Sequence, residues 1–268
     1  MVGKALVNLG KLSPAPLASK SLVQNIEAAN YDEHLERLKG CDLIIEAIAE
    51  RIDWKKSLYA RILPFVGPRA VLASNTSGLS INALSEVLDE SLHHRFCGVH
   101  FFNPPRYMHL VELIPCAITD TAVLFALEAF LVSTLGKGVV TAKDTPNFIA
   151  NRIGVFSILS TLYHTDQFGM GFDEVDVLTG PLIGRPKSAT YRTCDVVGLY
   201  TMGLTIKTMA DTLPADPWHP HFTVPDFLQT LIDAKALGQK TGAGIFKKVG
   251  KEIHVLDLAS LILRCLSS

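Results

Sequence analysis

The chain has 268 residues, 48% of them hydrophobic and 19% charged, enough apolar material for one large domain or two smaller ones. Its 25 basic and 26 acidic side chains leave a formal net charge of -1, which excludes the long-range field that would gather nucleic acid or an anionic membrane surface. Charged residues interrupt every long apolar stretch well short of the ~20 residues that span a bilayer, so no membrane span is expected.

Residues 1–12 carry Lys4 and Lys11 around a short apolar stretch with no signal-type core, and read as a helix. From residue 20 to residue 144 short apolar runs alternate with helical stretches, the pattern of a mostly parallel sheet with crossover helices. Strands are expected at residues 25–29, 42–48, 70–74, 96–102 and 138–142, with an additional short one at 110–115. Residues 53–66 have helical spacing, with Trp54, Leu58, Ile62 and Leu63 able to share a face. A helix over 121–135 should stop at Gly136. Past the turn-like stretch 143–147 the character changes, and 148–163, 172–179, 197–212 and 226–236 all read as helices.

The expected fold is therefore α/β: an incomplete Rossmann-like doubly wound sheet over residues 1–144, then an all-α domain over 145–268. The sheet is read as incomplete because the opening strand and its GxGxxG turn, whose helix takes the pyrophosphate of a dinucleotide, are not found. The nearest strings, Gly169-Met170-Gly171 and Gly242-Ala243-Gly244, lack the third glycine and read as turns. Five cysteines (Cys41, Cys97, Cys116, Cys194 and Cys265) form no CxxC pair. They suggest neither a disulfide framework nor a zinc site, but buried thiols in a reducing cytoplasm.

The most informative string is His100-Phe101-Phe102-Asn103-Pro104-Pro105, followed by Met108 and Leu110-Val111-Glu112. A histidine at the end of an apolar strand, before a chain break at two prolines, sits where active sites of open α/β sheets gather. Glu112 follows after a stretch long enough for the chain to reverse and set a carboxylate against the imidazole. Such a pairing fixes the tautomer and raises the basicity of the ring, as a general base for a hydroxyl proton requires. Taken alone, a hydrogen-bonded core histidine is the commoner explanation of such a residue.

The run HFFNPP…M.LVE resembles the active-site segment of the L-3-hydroxyacyl-CoA dehydrogenase family, and the likeness extends from about Asp42 to Phe246. Residues 43–50 (LIIEAIAE) resemble the strand and turn beside the nicotinamide, and residues 73–77 (ASNTS) resemble the family's SNTS turn. Residues 143–146 and 148–152 resemble its KDTPGFIxNR entry to the helical domain, and residues 238–244 (GQKTGAG) a late motif.

The resemblance implies NAD-dependent oxidation of an L-3-hydroxyacyl-CoA thioester in fatty-acid β-oxidation by a cytoplasmic enzyme, dimeric through its helical domain, with no metal. His100 would be the base and Glu112 its partner. Ser77, Asn103 and Asn151 would meet the substrate, and Glu50, Lys55 and Asn75 the cofactor. Helix capping competes for Ser77, turn bonding for Asn151, and a solvated helix face for Lys55. Two departures from the family pattern set up an alternative. The glycine turn and the acidic residue for the adenosine ribose are missing, and residues 181–189 and the C-terminus are closest to longer, multifunctional relatives, so both ends look cut. The alternative is a truncated, catalytically impaired remnant or acyl-CoA-binding scaffold that cannot hold NAD.

Overall fold

The computed structural model describes residues 2–266; Met1, Ser267 and Ser268, which fall within the expected first helix and last domain, lie outside it. The chain opens with α1 (Val2–Leu9) and two short 3-10 helices, Lys20–Asn25 and Leu35–Gly40. The strand expected at 25–29 does not form. Ser19 starts the first 3-10 helix by accepting a hydrogen bond from the Ser21 amide, and residues 24–30 are all exposed. With no face to bury and no neighbour to satisfy its backbone, that stretch gains nothing from extending.

Five strands then form one sheet: β1 (Leu43–Glu46), β2 (Val71–Ser74), β3 (Phe96–Phe101), β4 (Leu110–Pro115) and β5 (Gly138–Thr141). Their spatial order is β1-β2-β3-β4-β5, and every pair is parallel except β3 with β4. Helices α2 (Ile52–Ile62), α3 (Ile81–Ser85), α4 (Glu90–His93) and α5 (Thr121–Ser133) lie between them in sequence. Successive strand residues serve opposite faces. Leu72, Phe96 and Ile114 pack with Tyr59, Ile62, Ile81 and Leu84 in one layer. Ala73, Cys97, Val99, Val111 and Leu113 pack with Leu127 and Leu131 of α5 in the other.

Residues beyond β5 are mainly helical: α6 (Ala150–Gln167), α7 (Phe172–Leu178), α8 (Tyr191–Val197), α9 (Leu199–Thr212) and α10 (Asp226–Asp233). Two features there were not legible as sequence patterns. Helix α8 was not expected; it ends at Gly198, which has φ of +99° and separates it from α9, and α9 falls on the helix expected at 197–212. A small antiparallel sheet of β6 (Phe246–Val249), β7 (Glu252–Leu256) and β8 (Leu263–Cys265) also joins the helices, burying Phe246, Val255 and Leu256 against them.

The late glycine motif has a local explanation. Asp195 of α8 is buried, and its carboxylate accepts the amides of Ile245 and Phe246 at 2.9 and 2.8 Å, fixing the start of β6. A Cβ on Gly244 would meet Asp195 Oδ1 at 2.0 Å, and one on Gly238 (φ +100°) would meet the Asp195 carbonyl oxygen at 2.4 Å. Gly244→Ala is therefore expected to destabilise the fold by about 3 kcal/mol through overpacking, a fall in Tm of roughly 6–12 °C in thermal unfolding. A loss under about 1 kcal/mol would contradict the tight approach.

Candidate active site

His100 lies near the carboxyl end of β3, and the antiparallel register sets it directly opposite Glu112 on β4. Cross-strand partners share a face, so the imidazole and carboxylate meet: His100 Nδ1 is 2.8 Å from Glu112 Oε2. Both residues are buried, His100 at 3% exposure and Glu112 at 0%. The other carboxylate oxygen, Oε1, accepts the amides of Ile149 and Ala150 at 2.9 and 2.8 Å, the unpaired N–H groups at the start of α6. Burial alone would raise the Glu112 carboxyl. The hydrogen bonds from His100, Ala150 and Ile149 outweigh it and hold the group below the usual carboxylate range. With Nδ1 donating to an anion, a neutral ring carries its lone pair on Nε2.

Aromatic rings enclose the histidine. The Phe102 ring centroid is 4.4 Å from the imidazole and that of Phe148 is 5.8 Å away. Phe148 and Asn147 both have positive φ, 51° and 59°, a conformation that bulky residues adopt only under constraint; this bend brings the amides of residues 149 and 150 onto Glu112. Phe102 was not singled out from the sequence, where it read as part of an apolar run.

The turns at the carboxyl ends of β1 and β2 converge beside β3. Asn75 donates its amide to the Glu46 carbonyl at 2.7 Å and accepts the Phe101 amide on Oδ1 at 2.9 Å, tying the three strand ends together. Glu50 accepts from the Thr76 hydroxyl and from the amides of Ser77 (2.8 Å) and Gly78 (3.2 Å), which shapes the turn. Asn151 Nδ2 donates to the Ser77 carbonyl at 3.1 Å, so these two expected substrate residues stand together across the junction of sheet and helices. Asn103 is exposed on the loop after β3. Arg106 anchors that loop by donating to the carbonyls of Pro14 and Ala15, and Lys137 by donating to those of Pro105 and Met108.

Lys55 lies on α2, on its buried face. Expected beside the cofactor, it is fully buried, with Nζ 2.7 and 2.9 Å from the two carboxylate oxygens of Glu46. Ile48 N, Tyr59 Oη and Ser74 Oγ donate to the same carboxylate. Removing either partner would strand a buried charge, which costs several kcal/mol, so the pair braces the end of β1. Burial, with the Glu46 charge adding to it, pushes the Tyr59 phenol far above its ordinary value and keeps it a donor.

A doubly wound, mostly parallel sheet, with a histidine–glutamate pair at its carboxyl edge and a helical part packed beside it, is the architecture of a two-part dehydrogenase. Residues 4–145 match the model of the NAD binding domain of 3-hydroxyacyl-CoA dehydrogenase, and residues 148–248 match that of its C-terminal domain. A probable 3-hydroxyacyl-CoA dehydrogenase of Bacillus subtilis is 42% identical over 258 residues, covering 96% of this chain and 33% of its own. A second, from Deinococcus radiodurans, is 39% identical over 242 residues, covering 90% of this chain and 69% of its own. The crystal structure of (S)-3-hydroxybutyryl-CoA dehydrogenase from Ralstonia eutropha superposes with a TM-score of 0.72 at 30% identity, covering 91% of this chain and 81% of that one. The chain belongs to the 3-hydroxyacyl-CoA dehydrogenase family, and it spans about a third of the length of the Bacillus subtilis relative.

The residues present fit the two ends of NAD unequally. Toward the nicotinamide end, the turns after β1 and β2 stand beside the His100–Glu112 pair. Toward the pyrophosphate end, described residues 2–42 hold α1 and two 3-10 helices in place of a strand and glycine turn, and β1 is the edge strand, with Ile45 41% exposed.

Because Glu112 titrates below its ordinary value, the stability it adds is complete above an unfolded carboxylate pKa of about 4.3 and is lost as pH falls through the lower folded value. Glu112→Gln should destabilise the protein by about 1–3 kcal/mol near pH 7, and its difference from the native chain should shrink in thermal unfolding near pH 3. An equal difference at both pH values would contradict the assignment.

Proposed function

We propose that the chain catalyses the NAD-linked interconversion of an L-3-hydroxyacyl-CoA and its 3-oxoacyl-CoA, a step of fatty-acid β-oxidation. The observation that carries this reading is the buried contact of 2.8 Å between His100 Nδ1 and Glu112 Oε2. When bound, NAD supplies the hydride acceptor. His100 Nε2 accepts the proton of the 3-hydroxyl as C3 is oxidised to a carbonyl. Glu112, held as an anion, fixes the tautomer and stabilises the imidazolium that forms. Ser77 and Asn151 orient the reacting oxygen or the thioester carbonyl. Asn103 meets the substrate from the exposed loop after β3.

Glu50 and Asn75 act on the cofactor side through the turns they brace. Phe102 and Phe148 exclude water from the imidazole, which strengthens every electrostatic interaction there. With the ring only 3% exposed, substrate reaches Nε2 by displacing Phe102, whose loop is pinned at Arg106 and Lys137. The substrate class agrees with the Ralstonia eutropha structure, whose described substrate is (S)-3-hydroxybutyryl-CoA.

The residue ranges 1–144 and 145–268 serve as the cofactor and helical domains in this reading, and two chains pair through the helical one. Exposed apolar side chains of the helical part support that pairing: Phe168 (74%), Leu182 (73%), Val177 (64%), Val196 (55%) and Tyr200 (54%) would be covered in an interface. Sedimentation equilibrium should give twice the 29.2 kDa chain mass, and a purely monomeric protein at micromolar concentration would overturn it.

A competing reading is an acyl-CoA-binding scaffold, in which the outer edge of β1, without a strand partner among the described residues, takes no dinucleotide. Fluorescence titration with NADH decides between them. Saturable binding, with acetoacetyl-CoA reduction slowed about 10²–10⁴-fold in His100→Gln and cofactor affinity unchanged, supports the dehydrogenase. No saturation at millimolar NADH supports the scaffold.

A further inference from the structure

The last antiparallel sheet carries chemistry that the dehydrogenase reading does not use. Alternation along β7 puts Glu252 and His254 on one face, and the β7–β8 register pairs His254 with Cys265. Among the described residues, Glu252, His254 and Cys265 form the group of ionisable side chains suited to a metal, with one ligand atom from each within 4.8 Å of the others. Glu252 Oε2 is 3.6 Å from His254 Nε2 and 3.5 Å from Cys265 Sγ.

Those separations can be compared with what an ion would demand. Bonds of about 2.3 Å to sulfur, about 2.0–2.1 Å to imidazole nitrogen and about 2.0–2.2 Å to carboxylate oxygen, at tetrahedral angles, place neighbouring ligand atoms about 3.4–3.6 Å apart. The Glu252–His254 and Glu252–Cys265 separations lie at that value, and the His254 and Cys265 ligand atoms are within 4.8 Å of each other. We infer that Glu252, His254 and Cys265 form a site for a zinc-type divalent cation, with water completing a tetrahedral shell. One oxygen, one nitrogen and one sulfur ligand suit a borderline-soft ion of this kind and not magnesium or calcium, which take oxygen shells.

The backbone around the site is fixed. Arg264, next to Cys265, donates to Asp173 of α7 at 2.6 Å, which holds β8 against the helices. Lys247, the partner of His254 on β6, is exposed, and a long lysine stem can carry its ammonium into water. A bound ion would clip β8 to β7. The cysteine spacing gave no hint of this site, because strand pairing and not a CxxC turn assembles it.

Cobalt(II) is the probe, added to the full chain, because a thiolate ligand gives it a near-ultraviolet charge-transfer band. The expected result is one equivalent bound, with that band and tetrahedral visible bands, both removed by competing zinc. Cys265→Ser should abolish the thiolate band, and Cys41→Ser, at a partly buried cysteine outside the cluster, should leave it intact. His254→Ala should weaken binding about tenfold or more, with unchanged far-ultraviolet circular dichroism showing that the variants fold. A missing thiolate band, or one that survives Cys265→Ser, overturns the site.

Discussion

The carboxylate of Glu112 is the constraint on which the site's geometry depends. One oxygen takes the His100 proton and the other takes the first amides of α6. The orientation of the imidazole and the seating of the helical part on the sheet are therefore a single arrangement. Helix α6 has no side-chain cap of its own at Ile149, and a buried helix start without a partner would be costly. Glu112 satisfies it from another part of the chain. The positive φ values of Asn147 and Phe148 are sustained because they deliver those amides, so local strain is held by a buried, charge-assisted contact.

The same device recurs around the sheet edge. Glu46 gathers Lys55, Tyr59, Ser74 and the Ile48 amide, and Glu50 gathers the amides of residues 77 and 78. Asp144 takes the amides of Ile81 and Asn82 with the Ser80 hydroxyl. Each carboxylate rigidifies a turn by accepting donors that the turn cannot satisfy within itself. Turns held in this way are fixed dipoles, and little in them must reorganise when charge develops nearby.

Much of this was legible in the sequence where the pattern is local or where a string as specific as HFFNPP marks the site. The sheet strands from residue 42 onward could be read from apolar runs, since all but β5 bury side chains on at least one face. The burial of Lys55 was not legible because its partner, Glu46, lies across a loop, and a lysine on a helix ordinarily points to water. An acid inside the apolar run LIIE was the available signal that a buried cation must be near. The strand expected at residues 25–29 failed because a strand is stable only beside another. The short strands of the last sheet and helix α8 were missed because their few residues carry too little periodicity to separate from neighbouring helices.

The order β1-β2-β3-β4-β5 separates two properties that a dehydrogenase must combine. His100 and Glu112 stand on β3 and β4, each flanked by a strand on both sides, so their contact is protected within the sheet. The pyrophosphate side of a dinucleotide belongs to the opposite margin, near β1, whose outer edge has no strand partner among the described residues. A weakness at that margin would reduce cofactor affinity without disturbing the imidazole and carboxylate. Conversely, loss of Glu112 would loosen both the base and the start of α6 while leaving the turns braced by Glu46 and Glu50 in place. The His100–Glu112 contact and the turns after β1 and β2 thus rest on separate sets of carboxylates. Asn75, hydrogen-bonded to both Glu46 and Phe101, is the residue that links them.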